Sequence, residues 1–473
     1  MWKTFFLHIL KKSAILGGII IAKWIDGVYA LVWGAPTLLL ILGTGVLFSV
    51  KTCFAQLRLL PRSCRSFLEK LAGKGAEQEG ISSFQALCTA LAATVGIGNL
   101  AGVAGAIALG GPGAVFWMWI SGILGMAVKF AEATLAVHFR RRGADGNWIG
   151  GPMYMIEAGM TPRWKFLGSA YCFFGIVAAF GVGNATQVNA VLGGIRESAA
   201  AIGTDLAPKW DYLIGIGLAA IIGMVLLGGA RRIAEVAELL IPFAAGGYVL
   251  LCLIVLGLRW QAIPNAVAAI VEGAFCPRAV TGGAIASVLV SLRTGVSRGV
   301  FTNEAGMGTA SIAHAGAVVE HPVHQGMMGI MEVFLDTIVI CTLTALVILC
   351  SGVPIEYGTD AGAALTSRAF CAVLGEWASI VIALALCLFA FATILGWGLY
   401  GGRCAEYLFG NGIWRKFAVI QMVAVVMGAL ANTAELWRIA EIVNGMMAIP
   451  NLIALWALCP VIQQLLKDFN CGR

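Results

Sequence analysis

The most constraining feature of this sequence is its succession of long apolar segments without a charged side chain. The segment from Gly80 to Val128 contains no Asp, Glu, Lys or Arg, and similar segments recur along almost the whole chain. A helix that crosses a bilayer needs about 20 mainly apolar residues. Hydrophobic residues make up 60% of the chain and charged residues 12%, against about 25% charged in a typical soluble domain. The sequence therefore predicts an all-α protein embedded in a lipid bilayer.

Charge-free windows predict about 11 transmembrane helices. Gly80–Val128 holds the second and the third, which meet at Gly110–Gly113, and the third extends to about His138. The other windows are Gly27–Val50, Phe166–Ile195, Tyr212–Ala230, Leu239–Leu258, a seventh near Val280, Thr337–Ile355, Trp377–Gly402, Phe417–Ala434 and Ile442–Leu466.

Basic residues concentrate in alternate loops. This pattern predicts an N-terminus outside the cell and a C-terminus inside it, although the basic N-terminal tail argues against that orientation. The net charge of +7 is explained by cytoplasmic loops, so no nucleic-acid partner is expected.

Glycines and an amide interrupt the second predicted helix near its middle. The stretch Thr94–Gly102 contains Gly96, Gly98 and Asn99, and glycines weaken a helix. A break frees backbone N–H and C=O groups, which occurs in a membrane only where a cavity, an ion or a substrate satisfies them. The alternatives are close helix packing through small residues and a dinucleotide-binding motif, which needs a preceding strand that the helical flanks do not favour.

A second interruption lies in the seventh predicted helix. Thr302, Asn303 and Glu304 are strongly polar for a membrane interior, and glycines surround them at 306 and 308. The apolar segments 284–290 and 310–319 are predicted as the two half-helices. The alternative interpretation is an ordinary loop.

The two interruptions occupy matching positions, because each lies in the first helix of a set of five. Such a pair points to inverted repeats with a binding site between them. The predicted organisation is an N-terminal tail and extra first helix at 1–50, a basic cytoplasmic loop at 51–80, five-helix repeats at 81–258 and 280–466, and a cytoplasmic tail at 467–473.

Four long motifs resemble the alanine or glycine:cation symporters, also called sodium/alanine symporters. They are Ala93–Gly102, Gly150–Tyr154, Gly183–Gln187 and Gly299–Gly308. The resemblance covers nearly the whole chain after about Trp24. It implies a leucine-transporter-like fold, here of 5+5 inverted repeats, coupling to Na⁺ or to a proton, and a central site for alanine, glycine or a close relative. The charge pattern fits the cell (inner) membrane of a bacterial-type cell. No organic cofactor is expected.

An amino acid is a zwitterion, and the two breaks supply complementary groups. The carboxylate is expected at the freed amides around Gly96 and Gly98, because a half-helix N-terminus combines N–H donors with positive potential. The ammonium is expected at carbonyl oxygens of the second break and at an amide oxygen of Gln187 or Asn303. A tight apolar wall would exclude large side chains. The predicted substrate-binding residues are Thr94, Gly96, Ile97, Gly98, Gln187, Phe301, Thr302, Asn303, Met307 and Trp397.

Two of these assignments have structural alternatives. The Gln187 side chain would otherwise be an unsatisfied polar group in an apolar helix, but a helix–helix hydrogen bond would also satisfy it. A tryptophan in a membrane helix is often an interface anchor, which is the alternative for Trp397.

The cation site follows partly from the resemblance. Hard cations prefer oxygen ligands. The carbonyls of Ala92 and Val95 precede the first break, and Ala390 and Thr393 match the spacing that leucine-transporter-like folds use opposite it. Na⁺ is therefore expected at these four residues. The alternatives are that the Thr393 hydroxyl bonds to its own helix, or that the cation lies near Asn99 and Thr302.

These patterns favour a secondary transporter that carries Na⁺, or a proton, together with a small neutral amino acid into the cell. The same fold carrying another solute, a channel and a membrane enzyme are the alternatives. An enzyme is disfavoured because the chain has five histidines and no recognisable cofactor motif.

Overall fold

The computed structural model describes residues 25–73, 80–144, 146–201, 203–204, 207, 209–285, 287–359, 362–430 and 434–471. The predicted N-terminal tail, 1–24, lies outside these residues. Almost every described segment is helical.

Eleven apolar helical segments, here called spans 1 to 11, account for most of the described chain. Eight helices are long and apolar enough to cross a membrane, and a bent pair makes nine. A shorter apolar helix and a second interrupted helix bring the number to eleven, as predicted. In chain order the spans are Ile25–Lys51, Ser83–Thr94 with Gly98–Gly110, Gly113–His138, Pro162–Arg196, Trp210–Leu226, Gly229–Leu258, Val288–Asn303 with Thr309–Ala315, Pro322–Cys350, Trp377–Phe409, Ile413–Leu430 and Ala434–Ala457.

Shorter elements connect the spans. The helices are Ala55–Arg58, Leu60–Leu71, Pro152–Gly159, Ile263–Phe275, Pro277–Thr281, Gly362–Leu374 and Cys459–Cys471, and the two-residue strands Arg141–Arg142 and Trp148–Ile149 pair antiparallel, with Arg141 opposite Ile149. In the described part of the predicted basic loop, 51–73 and Gly80, the chain forms the two helices Ala55–Arg58 and Leu60–Leu71. The last predicted helix instead ends at Ala457, and a separate helix covers most of the predicted tail.

Local sequence explains where the central helices begin. Ser82 and Gln85 form a reciprocal capping box at the start of span 2, which satisfies two backbone donors. Span 8 begins with Pro322, behind a His321 ring that accepts a hydrogen bond from the Val323 amide at 3.2 Å. Its start lies well before the predicted Thr337, because Glu332 and Asp336 interrupt the charge-free segment on which that prediction rests.

Close helix packing through small residues brings the spans together. Span 3 packs against spans 7 and 8, while span 9 packs against spans 2, 4 and 6. A Cβ atom at Gly396 of span 9 would lie 2.9 Å from the backbone nitrogen of Ala93 in span 2. Glycine is therefore required for the approach of span 9 to the end of the first half-helix, where the predicted site lies.

Candidate functional site

The first break lies where the sequence predicts it. The helix ends at Thr94, Val95 is extended at φ −75° and ψ 100°, and the chain re-enters a helix at Gly98 through a π turn, Gly98–Gly102. The two halves are bent by 54°. The Asn99 side-chain oxygen accepts a hydrogen bond from the Gly96 amide at 2.9 Å. An unbroken helix that merely packs closely is therefore wrong for this stretch, and so is a dinucleotide-binding turn after a strand.

The second break also lies within a helix rather than in an ordinary loop. The helix Val288–Asn303 is followed by Glu304, whose φ is +52°. Gly306 and Gly308 come next, with φ values of +94° and +77°. Positive φ values terminate a helix, and glycine adopts them without the steric clash of a side chain. The first half-helix extends beyond the predicted segment 284–290 to Asn303. The prediction stopped early because it followed the apolar residues, and the helix continues through Arg293 and Arg298.

The two breaks contact each other. A Cβ atom at Gly98 would lie 3.4 Å from the methyl carbon of Thr302 and 3.6 Å from its Cα. A chain of buried hydrogen bonds also joins them. Asn99 donates to Asp336 at 2.7 Å, Thr337 donates to the other Asp336 oxygen at 2.8 Å, and Asn303 donates to Thr337 at 3.1 Å. Span 8 therefore bridges the breaks through Asp336 and Thr337, which were not predicted as site residues.

The Thr393 hydroxyl faces the first break. A Cβ atom at Gly96 would lie 2.8 Å from it. Thr393 is 3% exposed, and among the described residues its hydroxyl has no hydrogen-bond partner. The alternative that it bonds to its own helix is therefore wrong. Ala92, Val95 and Ala390, the other predicted cation ligands, are fully buried.

The oxygens of the alternative cation position are already engaged. The Asn99 side-chain oxygen accepts from Gly96, and the Thr302 hydroxyl donates to the Arg298 carbonyl at 2.5 Å. Asn303 is engaged as well, since its side-chain oxygen accepts from the Ala305 amide at 2.9 Å. The Thr94 hydroxyl bonds within its own helix, to Ala90 at 3.2 Å.

Gln187 and Trp397 lie beside a further interruption, the π turn Gly181–Ala185 of span 4. The Gln187 amide nitrogen donates to the Val182 carbonyl at 3.0 Å, while its buried oxygen is unpaired within the described part of the chain. Gly183 packs directly on the Trp397 side chain, which is fully buried. Trp397 is therefore not an interface anchor, and the amide of Gln187 makes no helix–helix bond.

The predicted apolar wall is only partly assembled. Ile97, Trp397 and Met307 belong to three different apolar clusters. Phe301 packs against the clusters of both Trp397 and Met307, and its ring meets Trp33 edge to face at 6.2 Å between centroids. Phe301 therefore joins parts of the wall that the structure otherwise keeps separate.

A second buried polar cluster lies beside the second break. Lys129 of span 3 forms an ion pair with Glu332 of span 8 at 3.0 Å, and His314 contacts the other Glu332 oxygen at 2.9 Å. Gln325 contacts the second His314 ring nitrogen at 2.7 Å and accepts from Ser83 at 2.6 Å. The network links spans 2, 3, 7 and 8. Ionisable residues within a membrane are expensive to bury and usually functional.

Known proteins resemble this chain over nearly its whole length. The sodium:alanine symporter family matches residues 19–473. The sodium/alanine symporter AgcS of Methanococcus maripaludis is 40% identical over 450 residues, which cover 94% of this chain and 96% of AgcS. The chain belongs to the sodium:alanine symporter family. Its resemblance to the alanine or glycine:cation symporters is thereby confirmed.

One further relative and one solved structure also resemble the chain. The probable sodium/glutamine symporter GlnT of Bacillus subtilis is 36% identical over 445 residues, covering 93% of this chain and 89% of GlnT. The crystal structure of MhsT in complex with L-phenylalanine superposes with a TM-score of 0.56 at 13% identity, covering 83% of this chain and 99% of MhsT. MhsT shows that the fold is leucine-transporter-like, as predicted.

Family membership decides the general class of activity. The protein is a sodium-coupled amino-acid transporter and a multi-pass integral membrane protein of the plasma membrane. It is a transporter rather than an enzyme, and Na⁺ is its coupling ion.

Proposed function

We propose that this symporter carries a small neutral amino acid, alanine or glycine, into the cell together with Na⁺. The observation that carries the proposal is the contact between the two helix breaks at Gly98 and Thr302. Backbone groups from both interrupted helices would thus lie close enough to bind one small substrate. The sodium/alanine symporter AgcS is named for the same ion and substrate.

The substrate carboxylate would bind the amides of the first break. The Gly96 amide already donates to a side-chain oxygen, that of Asn99, at 2.9 Å, so this amide is oriented for an oxygen acceptor. A carboxylate is a stronger acceptor than a neutral amide. The half-helix beginning at Gly98 adds positive potential at its N-terminus.

The substrate ammonium would bind oxygen acceptors, namely backbone carbonyls of the second break and a side-chain amide oxygen. The Gln187 side-chain oxygen is the best supported of these acceptors. It is buried and unpaired among the described residues, and buried polar atoms normally have a hydrogen-bond partner, which the substrate ammonium would supply. The carbonyls of Phe301 and Thr302 at the end of the second half-helix are the other candidates.

Na⁺ would bind between spans 2 and 9. The Thr393 hydroxyl faces the first break without a partner among the described residues, and carbonyls of Ala92, Val95 and Ala390 would complete the oxygen ligands. Such a site would depend on the shape of the first break, because Val95 and Gly96 belong to it. Substrate and ion would thus stabilise the same conformation, which is how one favours binding of the other.

Substrate competition in proteoliposomes tests the substrate class. Sodium-driven uptake of labelled alanine should be inhibited by unlabelled alanine and glycine and weakly by glutamine, the substrate in the name of GlnT. Counterflow should also occur, since a carrier exchanges substrate whereas a channel does not. Stronger inhibition by glutamine than by alanine would assign the protein to a larger neutral substrate.

A further inference from the structure

The second break is held by a carboxylate from span 3. One oxygen of Glu132, Oε1, accepts hydrogen bonds from the amides of Gly306 and Gly308 at 3.0 and 3.1 Å, and from the side chain of Asn451 at 2.7 Å. Successive backbone N–H groups that converge on one oxygen form an anion-binding concavity. Glu132 therefore fixes the shape of the interrupted segment.

The other oxygen of Glu132, Oε2, is the unusual one. It is fully buried and has no hydrogen-bond partner among the residues described. The side-chain oxygen of Asn451, Oδ1, is also buried and also lacks a partner in the described ranges. Buried polar atoms are nearly always hydrogen-bonded, so two neighbouring residues that each present an unpaired acceptor indicate a missing donor.

The orientation of the Asn451 amide is fixed by its other bonds. Its nitrogen donates to Glu132 Oε1 at 2.7 Å and to the Gly306 carbonyl at 2.9 Å. Both hydrogens are therefore used, and exchanging the nitrogen with the oxygen would place two acceptors against each other. Asn451 Oδ1 must remain an acceptor in need of a donor.

Among the described residues, no cationic side chain forms an ion pair with Glu132. Lys129, one turn earlier on the same helix, is paired with Glu332, which also contacts His314. Glu304 accepts from Thr309 at 2.6 Å. The ionisable groups that interact electrostatically with Glu132 are Lys129, Glu332, Tyr171 and Tyr400. Glu304 and Asp336 belong to the same network, through Lys129 and Glu332. An unpaired carboxylate charge in this position would be strongly unfavourable.

We infer that the Glu132 carboxyl is a proton-binding site, with the proton on Oε2 donated to Asn451 Oδ1. The acid and the amide then pair through two hydrogen bonds, and Oε1 remains the acceptor for Gly306 and Gly308. Binding is the reversible addition of one proton to a carboxylate. A proton needs a single acceptor, whereas Ca²⁺ and Mg²⁺ take about six to eight oxygen ligands. Two unpaired oxygens therefore suit a proton and are too few for such an ion.

This site gives transport a dependence on pH that sodium coupling alone does not require. Removal of the proton leaves a negative charge on the Glu132 carboxylate beside the unpaired Asn451 Oδ1. The repulsion weakens the contacts that span 3 makes with span 11 and with the second break. Acidic pH therefore favours the conformation described, and alkaline pH releases the interrupted segment.

The first test compares sodium-driven uptake under acidic and alkaline conditions. In the wild type, uptake should fall as pH rises, with a limiting slope of about tenfold per pH unit for one titrating group. Glu132→Gln carries an amide in place of the acid, so its acidic-to-alkaline uptake ratio should be about one, since no proton is gained or lost there. Glu69→Gln, at an exposed ion pair with Arg65, should keep the wild-type ratio.

Three results of that test would overturn the inference. A flat wild-type profile would remove the pH dependence, and a wild-type ratio in Glu132→Gln would assign it to another group. A Glu132→Gln variant that is instead altered in the Na⁺ concentration for half-maximal uptake would make the site a sodium site.

The second test uses infrared spectroscopy and does not depend on transport or on the identity of the substrate. A protonated carboxylic acid has a carbonyl stretch that a carboxylate lacks. Wild-type protein should show such a band that disappears at alkaline pH and is absent from Glu132→Gln. If that variant fails to insert, Asn451→Ala should shift the band, because the acid loses its partner. A band unaffected by Asn451→Ala, or no band in the wild type, would contradict the assignment.

Discussion

The Thr393 hydroxyl leads to a direct prediction about sodium binding. Thr393→Val keeps the shape of the side chain and deletes the oxygen. The Na⁺ concentration for half-maximal uptake should rise roughly tenfold, the effect of losing one polar contact of 1–2 kcal/mol. Thr393→Ser should keep most of the affinity because it keeps the oxygen. Substrate affinity should be preserved at saturating Na⁺ and fall at low Na⁺, since coupling between sites is reciprocal.

A second buried threonine provides the control for this prediction. Thr89 lies in the first half of span 2, and its hydroxyl bonds to its own helix at 2.7 Å. Thr89→Val should leave the half-maximal Na⁺ concentration unchanged, because that bond is optional in a helix. If the half-maximal Na⁺ concentration is unchanged in Thr393→Val as well, the cation must bind to other ligands.

Individual site residues were predictable only where they interrupt an apolar pattern. Gly96, Gly98 and Thr393 are conspicuous because their neighbours are apolar or helix-forming. Asp336 and Glu132 were not predicted as site residues, because a prediction from charge-free segments places acidic residues at helix ends. The available signal was an acid within a long apolar helix, which is itself evidence of function.

The first broken helix should tolerate little added volume at Gly98. A leucine there would enter the space between the breaks, where even a Cβ atom would lie 3.4 Å from Thr302, and it would favour a continuous helix. Gly98→Leu should therefore abolish alanine binding while the protein still inserts, measured by equilibrium binding to purified protein. Gly102→Ala in the same π turn, where a Cβ meets nothing within 4 Å, should bind normally. Normal affinity in Gly98→Leu would place the carboxylate elsewhere.

The second broken helix depends on glycine for a different reason. At Gly308, φ is +77°, and an added Cβ would overlap the side chains of Pro152 and Asn451. Gly308→Ala should lower the free energy of unfolding by about 2–5 kcal/mol, combining left-handed backbone strain with overpacking. Thermal unfolding of the purified protein in detergent measures the loss.

Gly282→Ala is the matched control, because its φ is +62° and its surroundings are open. It should show only the backbone strain, about 1–2 kcal/mol. Equal losses in the two variants would mean that the segment around Gly308 moves aside and does not hold the second break rigidly.

Helix breaks were predictable as elements, but their contacts were not. Glycine and polar side chains mark where a membrane helix ends, so both interruptions were located within a few residues. The hydrogen bonds from Asn99 to Asp336 and from Asn303 to Thr337 join segments distant in sequence. Such pairings depend on how spans pack, and a single sequence with no contact information does not specify them.

The number of membrane spans followed from the length of the charge-free apolar segments, and the resemblance to the family implied the leucine-transporter-like fold. Because every backbone group in a bilayer must be satisfied internally, long apolar segments can only be helices, and the eleven predicted spans all have counterparts. Span boundaries were less accurate, as the early start of span 8 at Pro322 shows. Charged residues are tolerated inside a large bundle where they pair with one another, as Lys129 and Glu332 do.

Coupling to Na⁺ makes a quantitative prediction about accumulation. The proposed substrate has no net charge, so one Na⁺ entering with it moves one elementary charge. This movement is worth about 2.3 kcal/mol at 100 mV, which corresponds to roughly 50-fold accumulation. Proteoliposomes with equal Na⁺ on both sides and an imposed potassium diffusion potential should therefore concentrate alanine when the interior is negative. Replacing Na⁺ with choline should abolish the accumulation, and reversing the potential should expel preloaded alanine. Accumulation that is independent of the potential would mean that a compensating charge crosses the membrane in each cycle. A proton carried by Glu132 would then be the candidate for that charge.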